Sequence, residues 1–196
     1  MFKKAGIKNP PSTWQELQIT SKKLIESGAK CGTVIGWQQW ILIENFASIH
    51  NIPFASNDNG FKSLKTQLLY DTPIIVNNIK MLKEMMKDGS FRYEGRRNDP
   101  SKKVFLAGHC GSYMDSSSAI GGLKKVAKFK WAAAPMPYNA GLKNPLNSII
   151  GGATLWVFKG HQSDEYKGVA DFISFLAKAV NQVWWHKETG YLPITK

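Results

Sequence analysis

An α/β fold with a parallel-rich sheet is predicted by three observations. Short runs of strand character, Cys31–Ile35 and Cys110–Met114, alternate with longer amphipathic segments. Gly and Pro signals punctuate the boundaries between them. Hydrophobic residues make up 43% of 196, enough to build a core of ordinary domain size.

Taken in order, Thr13-Trp14-Gln15-Glu16 is a capping box that opens a helix to about Ser27. Trp14, Leu17, Leu24 and Ile25 share its inner face, and Gly28 stops it. The strand Cys31–Ile35 follows, then an apolar-rich helix from Trp37 to Ser48. Ile52 to Leu69 reads as loop, with Ser-Asn-Asp-Asn-Gly as a turn signal. Thr72-Pro73 caps a helix with the stripe Ile75, Ile79, Leu82 and Met86, ended by Gly89. The helical spacing of Met81, Met85 and Met86 points to core packing.

Asp99-Pro100 opens a short helix that ends at Gly108. Strand Cys110–Met114 leads into Ser116-Ser117-Ser118 and a helix through Lys128. Trp131–Pro135 is expected as a strand, and Ser148–Phe158 as an extended run broken at Gly151-Gly152. Ser163 caps a helix to Ala177 with Tyr166, Val169, Ala170, Ile173 and Leu176 inward. A last helix ends at Gly190.

The net charge of +12 favours an anionic ligand or surface, nucleic acid included. The lysines are spread over nearly every helix and loop, which suits a solvated face better than a docking stripe. No stretch is long and apolar enough to span a bilayer, and the N-terminus lacks the apolar segment of a signal peptide. Nucleotide-binding glycine loops, metalloprotease and serine-hydrolase motifs are absent. Ser116 stands at a strand-to-helix turn, but no base and orienting group accompany it as a nucleophile would require. A tetrahedral metal site needs more than His109 beside Cys110. No catalytic residue, cofactor or metal is therefore expected.

The candidate binding residues lie where a strand feeds a helix. Trp37 and Trp40 would present indoles at a helix start, whose N–H groups suit an anion. The alternative is that both are core aromatics. Ser116 is either a plain helix cap or a hydroxyl offered to phosphate. Both positions fall at C-terminal strand ends, where ligands of open α/β sheets sit. Cys31 and Cys110 each start a strand. If those strands are neighbours, the sulfurs come within bonding reach; two buried free thiols are the other possibility.

The stretches CGTVIGWQQWILIENFASIHNIPFASNDNGF, FLAGHCGSYMDSSS, NSIIGGATLWVF and WHKETGYLPIT carry a resemblance. The chain resembles the extracellular solute-binding proteins of ABC importers, in the branch that binds sn-glycerol-3-phosphate and glycerophosphodiesters. The Gly-Trp-Gln-x-Trp element with Glu-Asn-Phe downstream is its most specific part. The resemblance implies two α/β lobes of the type II periplasmic-binding-protein fold. Residues 1–131 would belong to the second lobe, 132–178 to a hinge crossing with a partial first-lobe segment, and 179–196 to a return to the second lobe. It also implies ligand contacts from Trp37, Trp40, Ser116, Gly152 and Tyr191. The small-molecule ligand would be glycerol-3-phosphate or a glycerophosphodiester, and the partners of the intact protein would be the membrane subunits of an importer in the periplasm. Most of the family's first lobe and a C-terminal arginine have no counterpart, so a truncated chain is expected, with the stripe Tyr166, Val169, Ile173 and Leu176 left without its full partner. Ala179-Val180 departs from the Pro-Glu of relatives. A basic nucleic-acid-binding module is the competing class.

Overall fold

The computed structural model describes residues 1–194, which fall into two compact units. The first comprises Met1–Asp115 with Lys130–Ile149, and the second Ser116–Phe129 with the residues from Ile150 onward.

The first unit is built on a parallel sheet of three strands, β1 (Cys31–Ile35), β2 (Phe91–Arg92) and β3 (Cys110–Met114), in the order β2-β1-β3. All five residues of β1 are buried, as expected of a central parallel strand covered on both faces. Thr33 faces Phe91 on one side and Ser112 on the other. Strand β2 has only two residues, too short for a periodic signal, and is a finding of the structure.

Helix α1 (Trp14–Glu26) starts at Thr13, whose Oγ1 accepts from Glu16 N–H at 3.1 Å, while Glu16 Oε2 accepts from Thr13 N–H at 3.2 Å. The helix lies so close to β1 that a Cβ on Gly32 would stand 2.2 Å from Ser21 Cβ. Trp14, Leu17, Ile35, Ile41, Phe46, Ile75, Leu82, Met85 and Phe91 form the main buried cluster. Cys31 and Cys110 are register partners on neighbouring strands, with Cα atoms 4.5 Å apart, and are joined by a disulfide.

The helix after β1 differs from its expected form. A π-helical turn, Trp40–Asn45, runs straight into α2 (Phe46–Ile49), and Trp37 lies before the helix. Asn45 fits this wider turn, because its Nδ2 donates to Trp40 O five residues back at 3.0 Å. The expected turn at Ser56–Gly60 appears as α3 (Ser56–Asn59), a single turn with Asn57, Asp58 and Asn59 all at positive φ. Asn and Asp tolerate that region better than other side chains.

Helix α4 (Pro73–Lys87) buries Ile75, Asn78, Leu82 and Met85. Two residues of the predicted stripe, Ile75 and Leu82, are buried, whereas Ile79 and Met86 are 40% and 47% exposed. A buried asparagine reads as a solvent position in a sequence, which moved the prediction by one residue at Ile79. Helix α5 (Asn98–Leu106) then leads to β3.

The expected strand Trp131–Pro135 is absent, because no ladder partner flanks it. The segment Lys130–Ile149 is held by point contacts instead. Tyr138 pairs with Thr13 in an isolated bridge, Leu146 N–H donates to Ile49 O at 2.9 Å, and Ile149 N–H donates to Asn45 Oδ1 at 3.1 Å. His50 adds a side-chain tie. Its Nδ1 bonds to Phe46 O at 2.7 Å, and its Nε2 to Asn139 N at 2.9 Å. Asn139 N–H can only donate, so Nε2 is the acceptor and Nδ1 carries the proton.

That tie makes a pH prediction. Burial lowers the His50 pKa, partly opposed by the Phe46 hydrogen bond. The unfolded chain therefore takes up the proton first as pH falls. The stabilisation is complete above the ordinary histidine value of about 6.5 and is lost as pH drops through the lower folded value. Urea midpoints measured from about pH 7.5 down to 5 should fall for the native chain. His50→Gln should flatten that dependence; an unchanged slope in the variant assigns it to other groups.

The second unit contains α6 (Ala119–Val126), α7 (Ser163–Ala177) and α8 (Ala179–Thr189). Gly121 allows α6 to approach α8, since a Cβ there would stand 2.4 Å from Glu188 O. The start of α7 is capped by Gln162 and not Ser163; Gln162 N–H donates to Glu165 Oε2 at 2.8 Å. The apolar stripe of α7 is left uncovered, as expected, with Tyr166, Val169 and Ile173 all exposed. Helical spacing identifies an apolar face but does not supply a partner for it. Ser148–Phe158 joins no ladder either, and Ile150, Trp156 and Phe158 are exposed.

Candidate functional site

Strand β1 ends at Ile35, and the chain then makes a tight turn through Gly36 and Trp37. Trp37 has φ +47°, a conformation that bulky residues rarely adopt. Its carbonyl accepts from Ile41 N–H at 2.9 Å and so starts the helix from outside it. Trp37 is 46% exposed, against burial of the neighbouring Gln38. Trp40, three residues on, is half-buried and packs against the main cluster. The two tryptophans therefore differ: Trp37 is offered to solvent, and Trp40 is shared between the surface and the core. Both belong to the first unit.

Gln38 of the Gly-Trp-Gln-x-Trp element surrounds this turn together with Ser101, Asn98 and Tyr113, three residues that the sequence did not single out. Ile35 O accepts from Gln38 Nε2, a buried side chain, and from Ser101 Oγ at 2.9 Å. A Cβ on Gly36 would stand 2.5 Å from Asn98 Oδ1. Tyr113, near the end of β3, bonds through its hydroxyl to both Asn98 Oδ1 and Asp115 Oδ2. Burial, with the bond to Asp115 and the charges of Asp115 and Asp99, pushes the Tyr113 phenol far above its usual range. It is a permanent donor. A glycine between a strand and a helix is the kind of sequence signal that marks close backbone approach, and Gly36 is one.

Ser116, Gly152 and Tyr191 lie in the second unit. Ser116 Oγ accepts from Ser118 N–H at 3.3 Å and lies 3.0 Å from Ser118 Oγ. It serves the turn before α6 and not the helix start itself, since Ser118 is the cap residue. Gly190 closes α8 at φ +80°, and a Cβ on it would stand 2.3 Å from Ser117 O. The structure thus seats the Gly190-Tyr191 turn directly against the serine turn. Tyr191 is 41% exposed, and its carbonyl bonds His186 Nδ1 at 2.7 Å. Gly152 has φ +133° and an open surrounding, with nothing that a Cβ would meet.

Within the first unit the Trp37 turn offers an aromatic wall, and within the second the serine and Gly190-Tyr191 turns offer hydroxyls and backbone groups, all of them suited to binding. Among the described residues, no group of three His, Cys, Asp or Glu is placed to hold a metal ion. No described helix is long and apolar enough to cross a membrane.

Comparison with known proteins gives a consistent assignment. The sn-glycerol-3-phosphate-binding periplasmic protein UgpB of Escherichia coli O1:K1 is 47% identical over 198 residues, covering 100% of this chain and 45% of its own length. UgpB of Shigella flexneri is similar to the same extent, 47% identical over 100% of this chain and 45% of its own. The chain spans about half the length of the curated relatives it matches. Among solved structures, the cyclic alpha-maltosyl-1,6-maltose binding protein of Arthrobacter globiformis has a TM-score of 0.71 at 21% identity, covering 99% of this chain and 48% of that one. UgpB of Mycobacterium tuberculosis, in complex with glycerophosphocholine, has a TM-score of 0.68 at 16% identity, covering 98% and 47%. These two similarities establish a type II periplasmic-binding-protein fold. With a match to the family running over residues 1–196, the chain belongs to the bacterial extracellular solute-binding proteins.

Proposed function

We propose that this chain is part of the substrate-binding component of an ABC importer for sn-glycerol-3-phosphate or glycerophosphodiesters. The observation that carries the proposal is the Trp37 turn at the end of β1, in a chain 47% identical along its whole length to a glycerol-3-phosphate-binding protein. Trp37 and Trp40 pack on the glycerol moiety. Ser116, Tyr191 and the backbone of Gly152 donate to ligand oxygens, for which hydroxyl and N–H groups are well suited. No bond is made or broken, so the protein is not an enzyme, and selectivity is a difference of affinities.

The positive balance of +12 attracts an anionic ligand. The competing nucleic-acid module has less support, because Trp40 is drawn into the core instead of lying along an exposed basic groove. The ligand-loaded protein delivers its cargo to importer membrane subunits from the periplasm, a compartment where the Cys31–Cys110 disulfide persists. Residues 1–131 and 179–196 belong to the second lobe, and 132–178 make the crossing with a partial first-lobe segment. The seating of α8 and Gly190 against α6 and its serine turn supports grouping the last helix with Ser116–Phe129, the end of the 1–131 segment.

Calorimetry tests the proposal on the chain extended to the length of its relatives. Glycerol-3-phosphate or glycerophosphocholine is expected to bind. Trp40→Ala should weaken that binding by about 1–3 kcal/mol, the scale of a lost buried aromatic contact. No heat with either ligand, together with clear binding of maltose, would overturn it.

A further inference from the structure

We propose that Asn98 and Tyr113 are positioning residues, which hold the Gly36–Trp37 turn and thereby aim the Trp37 indole at ligand. The proposal rests on the reading that Trp37 contacts ligand, and it adds two residues to which neither the family resemblance nor the sequence gave a role.

A positive φ at a tryptophan persists only where its surroundings enforce it. At Trp37 the enforcement is visible from both sides. Behind it, Gly36 N–H donates to Met114 O at 2.9 Å, and Ile35 O accepts from Ser101 Oγ at 2.9 Å. Ahead of it, Gln38 folds its side chain back to Ile35 O. The Asn98 amide lies over Gly36, so close that a Cβ there would be 2.5 Å from Oδ1. An amide so placed restricts the directions in which the turn can open.

Asn98 itself is an exposed-type residue at the start of α5 and needs an anchor. Tyr113 supplies it. Its hydroxyl stands between Asn98 Oδ1 and Asp115 Oδ2, sharing one proton between two acceptors. Its ring is fixed independently by stacking on Phe105, with centroids 5.2 Å apart and planes at 28°. The physical sequence runs from β3 through Tyr113 and Asn98 to Gly36 and then Trp37. All of these residues lie in the first unit. The tie from the Tyr113 hydroxyl to the turn passes through Asn98, so these two side chains act through Trp37 and need not touch ligand.

Tyr113→Phe removes the hydroxyl and keeps the stacked ring. Asn98→Ser removes the amide and keeps a residue suited to the start of a helix. The experiment records indole N–H signals of the full chain, labelled with nitrogen-15, before ligand is added. The chain has seven tryptophans, and Trp37→Phe identifies the signal of interest by its loss. Each variant is expected to shift or broaden the Trp37 signal while leaving the other indoles in place. In the chain extended to its relatives' length, each should weaken glycerol-3-phosphate binding about tenfold, the effect of roughly 1.4 kcal/mol. A Trp37 signal unmoved in both variants overturns the proposal, as does a moved signal with unchanged affinity. A moved signal in a protein whose unsubstituted form binds no glycerophosphate leaves the brace standing and overturns the ligand reading instead. If Tyr113→Phe loses its far-ultraviolet circular dichroism, Asn98→Ser decides.

Discussion

Replacing Cys31 and Cys110 together by alanine is expected to lower the unfolding free energy by about 4 kcal/mol. The bridge closes a loop with a sequence separation of 79, long enough to restrict the unfolded chain strongly. It also joins register partners at the start of the two longest strands, where both side chains are almost fully buried. Alanine is the appropriate replacement, because a serine there would bury an unpaired hydroxyl and add its own cost. Reduction of the native chain should give a shift in the same direction. For a chain of this size the change corresponds to a midpoint temperature lower by about 10 °C. Equal melting of the oxidised, reduced and double-alanine forms would show that the bridge contributes nothing, and that strand pairing alone holds β1 to β3.

Phe46→Ala is expected to cost about 3–5 kcal/mol, the range for emptying a fully buried aromatic site. Phe46 has no solvent exposure and lies between two rings: Trp14 with centroids 6.2 Å away, and His50 stacked at 4.0 Å. Its loss leaves a void under α1 and removes the platform on which His50 reaches Asn139. The tie to the Lys130–Ile149 segment should loosen as well, read as faster hydrogen exchange at the Asn139 amide. Phe61, 92% exposed, is the matched control, and its alanine variant should stay within about 0.5 kcal/mol of the parent. Similar losses at the two positions would mean that the cost comes from the unfolded state and not from the cavity.

The candidate site was legible in part. A strand of CGTVI followed by Gly-Trp-Gln-Gln-Trp marks the end of a buried strand and the aromatics beyond it. The left-handed backbone of Trp37 leaves no such mark, since the side chains packed on its turn, Asn98 and Ser101, come from a distant segment. Tyr113 and Asn98 meet across 15 positions of sequence, so no local pattern joins them.

The sequence by itself determined the elements whose cause is local. Thr13 and Glu16 cap α1 through bonds three residues apart, Pro73 starts α4, Gly190 ends α8, and the apolar run of β1 requires a covered central strand. Tertiary structure alone decided which faces were covered and which backbone states were enforced. It buried Asn78 of α4 where the apolar pattern pointed to Ile79, denied Trp131–Pro135 a ladder and left the apolar face of α7 exposed. Capping and chain stiffness act within one turn of helix, so they are written in neighbouring residues. Burial and strand pairing need atoms from distant segments, and an element's own sequence does not say whether those atoms arrive.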